Sequence, residues 1–304
     1  MQRFECTSTT KTPVHPPIAL SVALLSLALT IPGSIAAATV CNGSPHLCAR
    51  RYDQVSYATT HNAFNYAYGP TQFWFPNQQV DIPHQLRGGV RGLMIDAHEY
   101  NGHDPTLAGK VCVCHQFCDL GAEPLTDVLR SIREFLDTYS REVVTIIFES
   151  YVTVDRMEQA FIDSGLIDYA YPQPVGAPWP TLGEMIDQNR RLVVFTDRDG
   201  GLRDWYLDVW DFAVETDYSA RSPEDLTCDY NRGDPSNSLF ILNHFLTWPL
   251  ARRSLAAQVN YNPFLVNRAY QCWNETGKRP NFVTVDFYLI GDLLETVEQL
   301  NAEE

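Results

Sequence analysis

Eight short runs rich in valine, isoleucine and phenylalanine recur along the chain, at residues 55–60, 90–95, 110–114, 143–148, 192–196, 212–214, 238–242 and 282–285. Most are continuously apolar rather than alternating, which is how strands buried on both faces of a parallel sheet read. Helical patterns lie between several of them. Residues 124–139 carry Leu125, Val128, Leu129, Ile132, Phe135 and Leu136 on one stripe, and residues 154–164 carry Met157, Phe161 and Ile162. Thr181 with Glu184 reads as a capping box, and a last helix is expected over 292–300. Strands alternating with helices imply right-handed crossovers and a parallel sheet. The expected fold is an α/β irregular TIM (β/α)8-type barrel in a single domain. The irregularity follows from residues 99–109, and from the stretch between the fifth and sixth runs, both too short for a full helix.

Nearly every run ends in a polar or ionisable side chain. His61, Asp96, His115, Glu149, Asp197, Glu215, His244 and Asp286 stand at or just past these ends. In a barrel, the C-terminal ends of the strands share one mouth. Two histidines there suit proton transfer, because imidazole titrates near neutral pH. One takes a proton from a nucleophile while the other gives one to a leaving oxygen. A buried carboxylate can orient the base and favour its charged form. Such a set suits cleavage of a phosphodiester by an internal hydroxyl. Residues 66–76 follow directly and hold Tyr66, Tyr68, Phe73, Trp74 and Phe75. They are either core packed under the mouth or an apolar rim that meets a lipid or stacks on a sugar ring.

The net charge of −15 argues against non-specific binding to nucleic acid and against a broad electrostatic grip on an anionic membrane. A small anionic substrate at a locally cationic site is compatible with it. Residues 1–38 read as a cleaved signal peptide. Arg3 and Lys11 precede an apolar run over 18–31, and Ala36-Ala37-Ala38 offers a small-residue cleavage site. The mature domain would be 39–304, secreted from the cell. An oxidising compartment would bridge most of its cysteines. The expected pairs are Cys41 with Cys48, Cys114 with Cys118 and Cys228 with Cys272, leaving Cys112 free. Asn42 and Asn274 begin glycosylation triplets.

Five segments, in this order and spacing, resemble the X-box phosphatidylinositol-specific phospholipase C family. They are Thr60-His61-Asn62, Arg91-Gly92-Leu93-Met94-Ile95-Asp96, Cys114-His115, Ile147-Phe148-Glu149 and Val285-Asp286-Phe287-Tyr288. Asn243-His244-Phe245 and Pro280-Asn281-Phe282 resemble its secreted X-domain-containing subgroup. The likeness spans residues 51–300, and the family fold is an irregular TIM barrel. It implies that His61 is the general base on an inositol hydroxyl and His115 the general acid on the departing diacylglycerol oxygen. Asp286 would hold the base, and Asp96 would be a metal ligand or supporting acid. The first product would be an inositol cyclic phosphate. Arg91 lies inside its motif and is expected to be structural. Calcium-dependent relatives have oxygen ligands at positions matching Asn62, Asp96 and Glu149, so a divalent cation such as Ca2+ is a candidate cofactor. The fourth position holds Met94, a poor ligand for a hard cation. Metal-independent relatives place an arginine where this chain has His98, whose protonated ring is a second candidate for that charge. Arg198 is expected to reach the substrate phosphate, Trp74 to meet substrate from the rim, and the Cys114–Cys118 bridge to pin His115.

The expected activity is therefore that of a phosphoric diester hydrolase or lyase of the phospholipase C type. Its partners would be a phospholipid or inositol-phosphate substrate and, transiently, a membrane surface. One alternative is a secreted phosphodiesterase acting on another phospholipid head group. The other is a barrel that binds inositol phosphate or lipid without turnover.

Overall fold

The computed structural model describes residues 12–13 and 39–303. The expected leader over 1–38 lies almost wholly outside the described residues. The apolar runs form a curled parallel sheet of β1 (Tyr57–Thr60), β2 (Gly92–Glu99), β3 (Val144–Tyr151), β4 (Leu192–Thr196), β5 (Tyr206–Asp208), β6 (Ala213–Thr216), β7 (Leu239–Asn243) and β8 (Phe282–Val285). Neighbours pair in parallel in the order β6-β7-β8-β1-β2-β3-β4-β5. Among the described residues no ladder joins β5 to β6, so the curl has a seam there. This is a mixed α/β domain.

Alternation along each strand decides what faces inward. Tyr57, Ile147, Val193, Phe195, Ala213, Leu239, Ile241 and Phe282 share one inner cluster with Tyr52 and Trp179. The Tyr57 and Phe282 rings stack at 5.6 Å, and these two residues are also registered partners. The opposite parity, including Ala58, Leu93, Ile146, Val194 and Val283, belongs to the outer cluster. Helices α1 (Ile82–Arg87), α2 (Leu125–Thr138), α3 (Val154–Ser164), α4 (Leu182–Asp187), α5 (Arg253–Val259), α6 (Phe264–Thr276) and α7 (Leu293–Ala302) complete the order. The expected stripe of α2 is wholly buried. In α3, Met157 and Phe161 are buried but Ile162 is exposed, since it points one residue round from that face. The capping box is made: Glu184 N donates to Thr181 Oγ1 at 3.2 Å, and Thr181 N donates to Glu184 Oε2 at 2.8 Å. Gly92 seats β2 against β1, because any Cβ there would collide with the Thr59 side chain. Arg91 is structural, donating from Nε to Glu142 at 2.8 Å and from Nη1 to two backbone carbonyls.

Two expectations need correction. The run at 110–114 is not a strand of the parallel set. Val111–Val113 pairs antiparallel with the far end of β2, with Ala97 opposite Val113 and Glu99 opposite Val111. β2 runs on past Asp96 to Glu99, and the short strand covers that extension. The eighth parallel strand is β5 instead, whose three residues are too brief to show a period. Second, His244 does not face the mouth. Asn243 has the inward parity of Leu239 and Ile241, so its neighbour turns outward.

All three expected disulfides are present, and Cys112 is free and buried. No helix among the described residues is long and apolar enough to cross a membrane. The Cys228–Cys272 bridge closes the longest loop, with a separation of 44 residues, and ties the segment before it to α6. Constraint of the unfolded chain by such a loop is worth about 4 kcal/mol in the loop-entropy treatment. The double variant Cys228→Ser/Cys272→Ser is expected to lose about 2–5 kcal/mol in urea unfolding. An unchanged midpoint would refute that contribution.

Candidate active site

The inward parity that orders the core also builds the site. From Tyr57 through Thr59 it reaches His61, and from Phe282 through Thr284 it reaches Asp286. Thr59 and Thr284 are registered partners, so the next inward pair is a histidine and a carboxylate side by side. His61 Nδ1 lies 3.0 Å from Asp286 Oδ1. A carboxylate accepts, so Nδ1 carries the proton and Nε2 keeps its lone pair as a base. Asp286 is nearly buried, at 3% side-chain exposure. Its Oδ1 also accepts from Asn77 Nδ2 at 3.0 Å. Asn77 Oδ1 in turn accepts from Asn65 at 2.8 Å and from Asn62 at 3.4 Å. Gln78 Nε2 donates to the carbonyls of His61 and Val285 at 2.8 and 3.1 Å, and so clamps the ends of β1 and β8 together. The Phe245 ring stacks on His61, with centroids 4.0 Å apart.

His115 comes from outside the parallel set. It follows the antiparallel strand Val111–Val113 and sits inside the Cys114–Cys118 bridge. It meets His61 across a mostly apolar cleft of about 280 Å³, lined also by Phe73, Trp74, Phe75, Phe117 and Leu250. The ring lies at the rim, yet the cleft walls remove enough water, and His61 stands close enough, to lower its pKa below the ordinary histidine value. The aromatic loop divides between core and rim. Tyr66 and Phe73 are core, while Trp74 and Phe75 are more than half exposed at the rim.

On its other side His61 borders a polar cavity of about 360 Å³, which also holds Asn62, Met94, Asp96, Glu149, Asp197, Arg198, Glu215, Arg232 and Asn243. Asp96 and Glu149 are registered neighbours on β2 and β3. Burial, then the charges of Glu149 and Asp197, hold the Asp96 pKa well above the carboxylate range. Glu149 accepts from Tyr151 Oη. The Arg198 guanidinium lies over the Tyr151 ring, 4.1 Å from its centroid, and its Nε is 3.6 Å from Asp197. Arg232, which belongs to no motif of the sequence, packs between Trp210 and Tyr218 at 4.5 and 4.7 Å and pairs with Glu215. Asn243 Nδ2 donates to the other Glu215 oxygen at 3.2 Å.

His98 is not brought to this cavity. Its ring stacks on Tyr151 at 4.3 Å, and burial lowers its pKa, which favours the neutral ring over a substitute cation. The calcium expectation also fails the test of donor chemistry. A hard cation takes six to eight oxygens. Asn62, Asp96 and Glu149 face one cavity, but Met94 fills the remaining place with a thioether. Among the described residues no three His, Cys, Asp or Glu side chains form a group able to hold a metal. These residues do not fit Ca2+. A larger open hollow of about 1100 Å³, near the N-terminal ends of β1 and β2, contains no histidine bonded to a carboxylate.

The PI-PLC X model (PI-PLC X 1) matches residues 47–301. The chain belongs to the PI-PLC X family. This PI-PLC X domain is 28% identical over 288 residues to a PI-PLC X domain-containing protein of Arabidopsis thaliana, covering 86% of this chain and 64% of that protein. It is 28% identical over 296 residues to PI-PLC X domain-containing protein 1 of Arthroderma benhamiae, covering 86% and 89%. A third relative at 28% identity, from the same fungus, is named an uncharacterized secreted protein, and this chain covers 63% of it. The chain thus spans under two thirds of the length of two of these relatives. Its fold is similar to the phosphatidylinositol-specific phospholipase C of Staphylococcus aureus, with a TM-score of 0.54 at 13% identity, covering 84% of this chain and 95% of that one.

Within this PI-PLC X domain, Asn77 is the outer support of the His61–Asp286 pair. Removing one hydrogen bond to a charged group costs about 1.5–3 kcal/mol, or about 10- to 100-fold in a rate that depends on it. Asn77→Ala is therefore expected to lower by that factor any turnover that uses the His61–Asp286 pair, with Asn77→Asp no better. Wild-type kcat in Asn77→Ala would remove Asn77 from the site.

Proposed function

We propose that this domain is a secreted phosphoric diester hydrolase or lyase of the phospholipase C type, acting on phosphatidylinositol-like lipids. One observation carries the reading. His61 stands at the junction of two cavities of opposite character, with the polar one on one side and the apolar one, which also holds His115, on the other. A phosphodiester lying across that junction would have its polyol head group among Arg198, Arg232 and the carboxyl groups, and its apolar alcohol in the aromatic cleft.

The chemistry then follows from the two histidines. His61 Nε2 takes the proton of a head-group hydroxyl next to the phosphorus. That oxygen attacks phosphorus, the bond to the apolar alcohol breaks, and His115 gives its proton to the departing oxygen. The product is a cyclic phosphate, and water opens it with the proton roles reversed. Arg198 and Arg232 supply positive charge for phosphate, and no step calls on a metal. In this reading the curled sheet is an irregular barrel with its seam between β5 and β6. Residues 1–38 are a removed leader, in keeping with three disulfides and a relative named as secreted. Exposed Trp74, Phe75 and Phe117 at the rim suit brief contact with a lipid surface.

His61→Ala and His115→Ala are each expected to reduce release of cyclic inositol phosphate from phosphatidylinositol vesicles by about 10²- to 10⁴-fold, followed by phosphorus NMR. Full activity in either variant would defeat the assignment, and cleavage confined to another phospholipid would redirect it to that head group.

The pH dependence has a defined sign. His115 must be protonated to act, and its pKa is lowered, so the alkaline limb of kcat/KM should fall below the ordinary histidine value of about 6.5. A limb above pH 7 would contradict this. Activity should also survive a calcium chelator, whereas loss restored by added Ca2+ would show that the oxygen donors close around a metal after all.

A further inference from the structure

We propose that Phe245 is a positioning residue for His61, holding the base by its face while Asp286 holds it by its edge. The inference rests on the acid–base reading above. The two rings lie within 4° of parallel, with centroids 4.0 Å apart. The bond to Asp286 fixes one nitrogen but leaves the imidazole free to swing about that contact. A flat apolar surface against one face removes that freedom. Phe245 is itself buried, at 3% exposure, and it lines the polar cavity.

Its own position is set by an unusual anchor on the opposite side of β7. His244 N donates to Thr284 O at 2.8 Å, carrying the β7–β8 ladder one residue further. The outward His244 ring is fully buried, with Nε2 2.9 Å from Val259 O and Nδ1 3.1 Å from Arg268 Nη1. A carbonyl only accepts and a guanidinium only donates, so Nε2 bears the proton and Nδ1 accepts. Burial and the adjacent guanidinium lower the His244 pKa to about 3, which keeps this ring neutral and out of the proton chemistry. Among the described residues Arg268 has no carboxylate partner. It donates instead to the carbonyls of Asn243, Leu226 and Thr227 at 2.9, 3.0 and 2.7 Å. The main chain is thus held at Asn243 and again at His244, and Phe245 is the next residue. Asn243, gripped by the same arginine, points inward and donates to Glu215.

The test compares Phe245→Leu, which keeps apolar bulk without the flat face, with Phe245→Tyr, which keeps the ring. An aromatic contact of this kind corresponds to about two- to tenfold in rate. Phe245→Leu should lower kcat on phosphatidylinositol vesicles by that factor with KM unchanged, and Phe245→Tyr should restore it. Independently of turnover, the carbon-bound protons of His61 lie in the ring current of Phe245. Their NMR resonances, assigned by their loss in His61→Ala, should move in Phe245→Leu and stay in Phe245→Tyr. Wild-type kcat in Phe245→Leu with moved resonances would overturn the positioning role, and so would unmoved resonances. Should wild-type protein cleave no phosphodiester, the reading of the enzyme falls, while the resonances still decide whether the Phe245 and His61 rings stack.

Discussion

The hydrogen bond from His61 to Asp286 is where the sheet and the chemistry meet. It joins the residues that follow β1 and β8, two strands already registered through Tyr57 with Phe282 and Thr59 with Thr284. The ladder therefore sets the distance between acceptor and base before either side chain chooses a rotamer. Gln78 and Asn77 reinforce that junction, one through the backbone ends and one through the carboxylate. Among the described residues the other Asp286 oxygen is buried with no hydrogen-bond partner.

Much of this was legible in the sequence through periodicity. Parallel strands announced themselves as apolar runs, and the helices α2, α3, α4 and α7 were readable from stripe and cap. The inward direction was readable too, in principle. His61, Asp96, Glu149, Asp197, Glu215, Asn243 and Asp286 each stand two residues beyond an inner-cluster or inward-facing neighbour on their own strand, and His244 does not. Reading the run ends without that parity is what put His244 at the mouth. Other features left no local trace. β5 is three residues long, α6 covers a face that mixes Arg268 with apolar side chains, and the antiparallel role of Val111–Val113 depends on how far β2 extends. Asn77 and Gln78 act from a segment with no period at all, and only their partners reveal them.

The electrostatics of the polar cavity differ from what the motifs suggested. Three carboxyl groups there, Asp96, Asp197 and Glu215, have raised pKa values, with burial the largest cause for each. Arg198 beside Asp197 and Arg232 beside Glu215 oppose that rise. Positive charge comes from Arg198 and Arg232, each lying against aromatic rings that limit its freedom.

The strict two-residue alternation of β1 and β8 has a bearing on how such a chain can diverge. An outer position can exchange one apolar side chain for another of similar volume without turning the base to the other face, which is compatible with 28% identity to its relatives. A single residue gained or lost inside either strand would turn His61 or Asp286 from the inner face to the outer one. Length in these two strands is therefore far less negotiable than composition, and insertions in the lineage should accumulate in the connecting loops, where they leave the phase of the sheet intact.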